Sequence, residues 1–190
     1  MTPQAILIRS IGRRGSAIPL VRRPEFGNVR LMLDSFDLKL LNALQEDADR
    51  TAEELAEFVA LSPSAIARRI RRLRESGAIA RTIALLAAEI VDRRLRAIIR
   101  LQLHEHEQAA DFMLLRDRLN ARDEVQLCLE ISGSDDLLLL VACRDMSEFN
   151  AFADSELGAS ALVRRYETSF VKKEVKNRPM IRLDERDAHE

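Results

Sequence analysis

The sequence predicts an α+β chain: an N-terminal winged helix-turn-helix followed by a ferredoxin-like βαββαβ unit. Three observations carry that prediction. Short helical segments joined by tight turns lead into an arginine-rich helix over residues 61–77. From residue 96 the hydrophobic rhythm changes to alternating strands interleaved with two helices. The charge is segregated in the same way. Residues 62–81 hold six Arg and one Glu, a net of +5; the first 33 residues hold six Arg and one Glu, again +5; the whole chain is −1, so the remainder is −11. A basic head on an acidic body is the pattern of a nucleic-acid-reading module joined to a module with another task.

Asp34 begins the first helix, with Asp37 three residues on as an imperfect capping box. Leu40, Leu41 and Leu44 supply its apolar face, which ends near Glu46-Asp47-Ala48-Asp49. Thr51 caps a second, short helix with Glu54 at the capping-box position; Leu55, Ala56 and Val59 form its buried side. Ala60-Leu61-Ser62 is a very short connection into the third helix. There Ser62 is the N-cap, Pro63 suits the first helical position, and Gly77 is a C-terminal stop. Ile66, Ile70 and Leu73 make one buried stripe at i, i+4, i+7. Arg68 points almost opposite that stripe, Ser64, Ala65, Arg71 and Arg72 lie around it, and Arg69 and Arg74 flank the core edge. Small residues near the helix N-terminus and arginines along the outer face suit a DNA major groove, where Arg pairs bidentately with guanine or clamps phosphates. A solvated basic face is the alternative. The DNA-contacting candidates are Ser62, Ser64, Ala65, Arg68, Arg69, Arg71 and Arg72. The apolar, partly β-branched residues 78–86 are expected to form a small strand or wing, with Arg81 near the phosphates.

The second half alternates. Ala97, Ile99, Leu101 and Leu103 share one face of a first strand, and residues 106–119 read as a helix burying Phe112, Leu115 and Leu119. Val125, Leu127, Leu129 and Ile131 are expected inward on the second strand. Ser132-Gly133-Ser134-Asp135 is a turn, and residues 136–143 are a nearly continuous apolar strand. A helix over 145–157 contains Met146, Phe149 and Phe152, and a long last strand runs over 163–175 with Tyr166, Thr168 and Phe170. Helices cover one face of such a sheet. Both faces of the central strand are apolar (Leu137, Leu139 and Val141 against Leu138, Leu140 and Ala142), so the other face calls for association.

Leu33-Asp34-x-x-Asp37, Leu40-Leu41-x-x-Leu44-Gln45, Leu55-Ala56, Leu61-Ser62-x-Ser64, Arg69-Ile70-x-x-Leu73 and Gly77-x-Ile79 resemble, in order and spacing, the Lrp/AsnC (leucine-responsive/asparagine, or feast/famine) regulators. The resemblance runs to about Lys176. Ala60, Asp49 and the Arg81-Thr82 pair depart from the usual family residues. The resemblance implies a DNA-binding transcriptional regulator whose ferredoxin-like domain senses a small effector, an amino acid, and assembles into homodimers and higher even-numbered homo-oligomers. It implies that the hairpin Gly133, Ser134, Asp135 and Asp136 helps bind the effector between dimers. Gly133 and Asp136 match the family there, whereas Ser134 and Asp135 differ. A glycine turn exposes backbone N–H groups to a carboxylate, and carboxylates pair with an ammonium group; an ordinary β-hairpin turn is the other reading. Certain sirohaem decarboxylases resemble this family in both domains, so an enzyme is the alternative function. The arginine face favours a regulator, and the supply of His for a tetrapyrrole cleft is thin.

The expected organisation is a basic, flexible N-terminal extension over 1–31, a helix-turn-helix domain over 32–82, a linker over 83–95, the ferredoxin-like effector-binding and oligomerisation domain over 96–176, and a charged tail over 177–190. The extension is either a basic arm that strengthens DNA binding by counterion release or a segment upstream of a natural start near Met32. No apolar run approaches the roughly 20 residues that span a bilayer, no secretory signal is evident, and two Cys make no disulfide scaffold. Cytoplasmic residence is expected. Cys128 and Cys143 read as packed thiols. His104 and His106 lack a third ligand at metal spacing. No catalytic constellation, metal site or cofactor is expected.

Overall fold

The computed structural model describes residues 32–104 and 109–188. Residues 1–31, and with them the expected basic arm, lie outside the described residues, as does His106. Three helices open the chain: α1 (Ser35–Glu46), α2 (Ala52–Ala56) and α3 (Pro63–Glu75). Their starts are set by side-chain caps. Asp34 and Asp37 complete a reciprocal capping box at α1, Thr51 and Glu54 do the same at α2, and the Ser62 hydroxyl accepts the Ala65 N–H at α3. Gly77 follows the end of α3 with φ +79°, a backbone conformation that side-chain-bearing residues rarely adopt. Leu40, Leu55, Val59 and Ile66 form the helix-turn-helix core, and Phe36, Leu44, Leu61 and Ile70 pack against it.

The expected wing is not formed. Residues 80–87 carry no regular structure and are exposed, and a single turn, α4 (Ala88–Val91), follows. A β-branched segment becomes a strand only beside another strand, and among the described residues no strand pairs with this one.

The remaining elements are β1 (Leu95–Leu103), α5 (Ala109–Asn120), β2 (Val125–Glu130), β3 (Leu137–Cys143), α6 (Met146–Phe152) and β4 (Val163–Phe170). They form one antiparallel sheet in the order β2-β3-β1-β4, the ferredoxin-like arrangement. A π-helical turn over Ala153–Gly158 prolongs α6, and a 3₁₀ turn lies at Glu185–Asp187. The core lies between the sheet and the helices: Ala97, Ile99 and Leu101 oppose Val141, Leu139 and Leu137 across the β1–β3 ladder, under Leu115, Leu119 and Phe152.

Two expectations for this domain change, the facing of β2 and the end of the last strand. A register shift between Val125 and Leu127 turns Val125 and Cys128 towards the core and leaves Leu127 and Leu129 about 40% exposed on the open face (41% and 39%). An alternating pattern breaks at such a bulge because the side-chain phase slips by one residue. Met146, at the first position of α6, is exposed, whereas Phe149 and Phe152 are buried. The last strand ends at Phe170, opposite Ala97, because β1 offers little ladder beyond that point.

Candidate nucleic-acid interface and effector hairpin

The outer face of α3 follows from its inner one. Ile66 and Leu73 are fully buried, so Ser64, Arg68, Arg71 and Arg72 project outward and are exposed, with Ala65 half-buried beside them. Ser62 and Ser64 hydroxyls lie 3.2 Å apart at the helix start. Arg68, Arg71 and Arg74 make no ion pair among the described residues, and neither does the exposed Arg81 just beyond α3.

Arg69 behaves differently from its neighbours. Its guanidinium donates to Asp34 at 2.7 Å and to Asp37 at 2.9 Å and sits 5.5 Å from the Phe36 ring centroid. Arg72 donates to the other Asp37 oxygen with a side chain that stays 53% exposed. Asp37 is completely buried, so both arginines neutralise an anion that water does not reach. Burial alone would raise the Asp34 carboxyl; the Asp37 N–H and the Arg69 guanidinium outweigh it and hold it below the usual carboxylate range. The hydrogen bond to Asp34 in turn holds Arg69 above its usual value. A buried carboxylate therefore rivets α3 to α1. Its signal is present in the sequence: Asp37 shares the i, i+3, i+4, i+7 spacing of Leu40, Leu41 and Leu44, which places it on the buried stripe.

The hairpin between β2 and β3 is held from its sides. The Ile131 N–H donates to the Asp136 carbonyl at 2.9 Å, and the Asp136 N–H donates to Leu101 at 2.8 Å. The Asp136 carboxylate accepts the Leu103 N–H at 2.7 Å, pinning the turn to the end of β1. Asp135 accepts from Gln102 at 3.2 Å, and Gln102 accepts from Arg164 at 2.7 Å. Gly133 has φ +145°, and Ser134 stands exposed beside it. The amides of Gly133 and Ser134 donate to no acceptor among the described residues. The turn thus sets N–H donors beside two carboxylates on an open surface. Two open cavities lie elsewhere. One of about 410 Å³ is lined by Asn42, Gln45, Met180 and Ile181, and one of about 660 Å³ by Leu86, Ile90, Arg96, Arg122 and Gln126.

Burial pushes the thiol pKa of both Cys128 and Cys143 up, which disfavours the thiolate. No group of three His, Cys, Asp or Glu able to hold a metal ion occurs among the described residues, and no helix there is long and apolar enough to cross a membrane.

Comparison with known proteins agrees with this geometry. Residues 33–74 match the AsnC-type helix-turn-helix domain, and residues 96–181 match the Lrp/AsnC ligand binding domain. The chain is 33% identical over 149 residues to the leucine-responsive regulatory protein of Rhizobium meliloti, covering 78% of this chain and 95% of that one. It is 32% identical over 139 residues to an HTH-type transcriptional regulator of Haemophilus influenzae (73% and 82% covered). Among solved structures, a transcriptional regulator of Neisseria meningitidis in complex with L-Met superposes with a TM-score of 0.68 at 35% identity, covering 78% of this chain and 96% of that one.

Proposed function

The chain belongs to the Lrp/AsnC family of transcriptional regulators and is not an enzyme, and from that premise we propose that α3 reads operator DNA while the hairpin after β2 senses an amino acid. The observation that carries the proposal is the division of labour among the α3 arginines. Arg69 and part of Arg72 hold the head together, which leaves Arg68, Arg71 and the exposed end of Arg72 facing outward for base edges and phosphates. Ser62, Ser64 and Ala65, small residues at the start of the helix, allow close approach to the duplex. Arg81, exposed at the end of the reading head, is assigned to a phosphate. Arg69 is assigned to the brace rather than to DNA.

The effector reading places the amino-acid carboxylate on the Gly133 and Ser134 amides and its ammonium group on Asp135 or the outer oxygen of Asp136. The Neisseria relative crystallised with L-Met supports an amino acid as the ligand class. We assign the reading head to residues 32–82, a linker to 83–95, the sensing and assembly domain to 96–176 and a tail to 177–190. A regulator that reads DNA works in the cytoplasm. Screening the twenty amino acids by thermal shift tests the sensing half: a ligand at 100 times its Kd stabilises the native state by about 2.7 kcal/mol. Fluorescence anisotropy with the protein's own promoter fragment tests the reading half. No binding by the wild-type chain overturns it.

A further inference from the structure

The tail returns to the head. Asn42 and Gln45 lie i, i+3 on α1, on one side of the helix. The Asn42 side-chain amide donates to the Leu183 carbonyl and accepts the Leu183 N–H, each at 2.9 Å. Gln45 does the same with Ile181, again at 2.9 Å in both directions. A primary amide carries a donor and an acceptor side by side, so it closes a two-bond ring with a backbone residue as another strand would. Alternate residues of an extended chain direct their backbone groups to the same edge, at a spacing close to that of i, i+3 side chains on a helix. The 3₁₀ turn that follows is capped by Asp184 and ends the strap.

The root of this strap is fixed as firmly as its tip. β1 and β4 are antiparallel neighbours, so the start of β1 and the end of β4 lie at the same end of the sheet. There the Val171 N–H donates to the Arg96 carbonyl at 2.8 Å. The buried Arg96 guanidinium reaches Glu174, in the segment that leads from β4 into the tail, at 2.6 Å and Asp92 of the linker at 3.7 Å. The head is therefore joined to the sheet twice, covalently through the linker and non-covalently through the tail, with Arg96 binding the two roots together.

We propose that Asn42 and Gln45 are positioning residues for DNA binding: they hold the tail as a second tether that fixes the reading head on the effector domain. The inference rests on the reading above, that α3 reads operator DNA, and takes the two heads of a dimer to engage it together. A head on one tether samples many orientations, and two such heads meet two half-sites only after losing that freedom; a second tether removes the cost in advance.

Asn42→Ala and Gln45→Ala test it without weakening α1, because Ala is the better helix former. Ile181→Pro removes the N–H that Gln45 accepts. Nuclear magnetic relaxation of the full chain is expected to show head and sheet tumbling together in the wild type and separately in the Asn42→Ala/Gln45→Ala variant. Unchanged tumbling overturns the tether. Affinity for DNA with two half-sites should fall roughly tenfold, as the second head loses effective concentration, while affinity for one half-site stays level. Equal loss on both DNAs overturns the positioning role, since a damaged head would produce it. Gln45→Ala combined with Ile181→Pro should lose no more than either alone, and additive losses count against a shared contact. If the wild type gains nothing from a second half-site, the paired-head reading fails, and the tumbling measurement still decides the tether.

Discussion

Adjacent arginines on one helix take opposite roles because a single buried carboxylate separates them. Asp37 is fully enclosed, and Arg69 at 2.9 Å is its less exposed partner. Arg69→Ala leaves the half-exposed Arg72 as the one cation on the anion, beside the Asp34 N–H, and should destabilise the head by on the order of 2–4 kcal/mol, read as a lower thermal midpoint. Arg68→Ala and Arg71→Ala should leave that midpoint in place and weaken promoter binding instead. Loss of a base contact costs about 1–3 kcal/mol and relaxes specificity, whereas loss of a phosphate contact lowers the salt slope by about one. An Arg68→Ala/Arg71→Ala chain that binds as the wild type does would remove α3 as the reading helix. The brace also sets a pH dependence. The Asp34 carboxyl titrates below its ordinary 3.8 in the folded chain, so its contribution to stability is complete above that value and is lost as the pH falls through the lowered one. Acid unfolding followed by circular dichroism should begin at higher pH in Arg69→Ala, because that variant lacks the guanidinium that depresses Asp34.

At the scale of elements, the effector hairpin depends on one backbone conformation. Gly133 sits at φ +145°, and a Cβ there meets nothing within 4 Å, so Gly133→Ala adds backbone strain without a clash. The expected cost is about 1–3 kcal/mol, felt in the turn alone. The variant should fold and bind DNA, with its thermal-shift response to the amino acid lost; a full response would move the effector away from this turn. Asp136 was legible in the sequence as a family match but not as the pin for the Leu103 N–H, because a carboxylate's partner two strands away leaves no local pattern. The helices were legible because their signals are local: Asp34, Thr51 and Ser62 each cap the helix they precede. β2 was misread at Leu127 and Leu129 because a bulge changes phase without changing composition. The wing was misread because a β-branched run specifies strand only when a neighbour is present. Asn42 and Gln45 give no local signal of their contacts, since their partners lie more than 130 residues away.

For the whole molecule, the decisive surface is the sheet face that no helix covers among the described residues. Ile98 opposes Leu140, Leu140 opposes Leu127, and Leu138 opposes Leu129, which lays an apolar band across three strands. Ile98, Leu127 and Leu129 are each about 40% exposed (38%, 41% and 39%). A domain that packs helices on one side alone leaves that band in water unless a second copy covers it, and a closed two-fold contact of sheet on sheet does so with the same residues from each partner. Leu138→Lys and Leu140→Lys place charges on the central strand of this face, where a two-fold contact brings them close to their own copies. The double variant should remain folded, because Leu137, Leu139 and Val141 on the other face still fill the core. Light scattering should report a dimer or an even-numbered multiple for the wild type and a monomer for the variant. Affinity for two-half-site DNA should fall to that for a single half-site, since the heads are then no longer linked. An amino acid bound at the Gly133–Asp136 turn shifts assembly only through its differential affinity for the assembled state, so it should move the scattering of the wild type and leave the monomeric variant unchanged. A wild-type monomer at all concentrations, or a double variant that still dimerises, would sink this model of assembly.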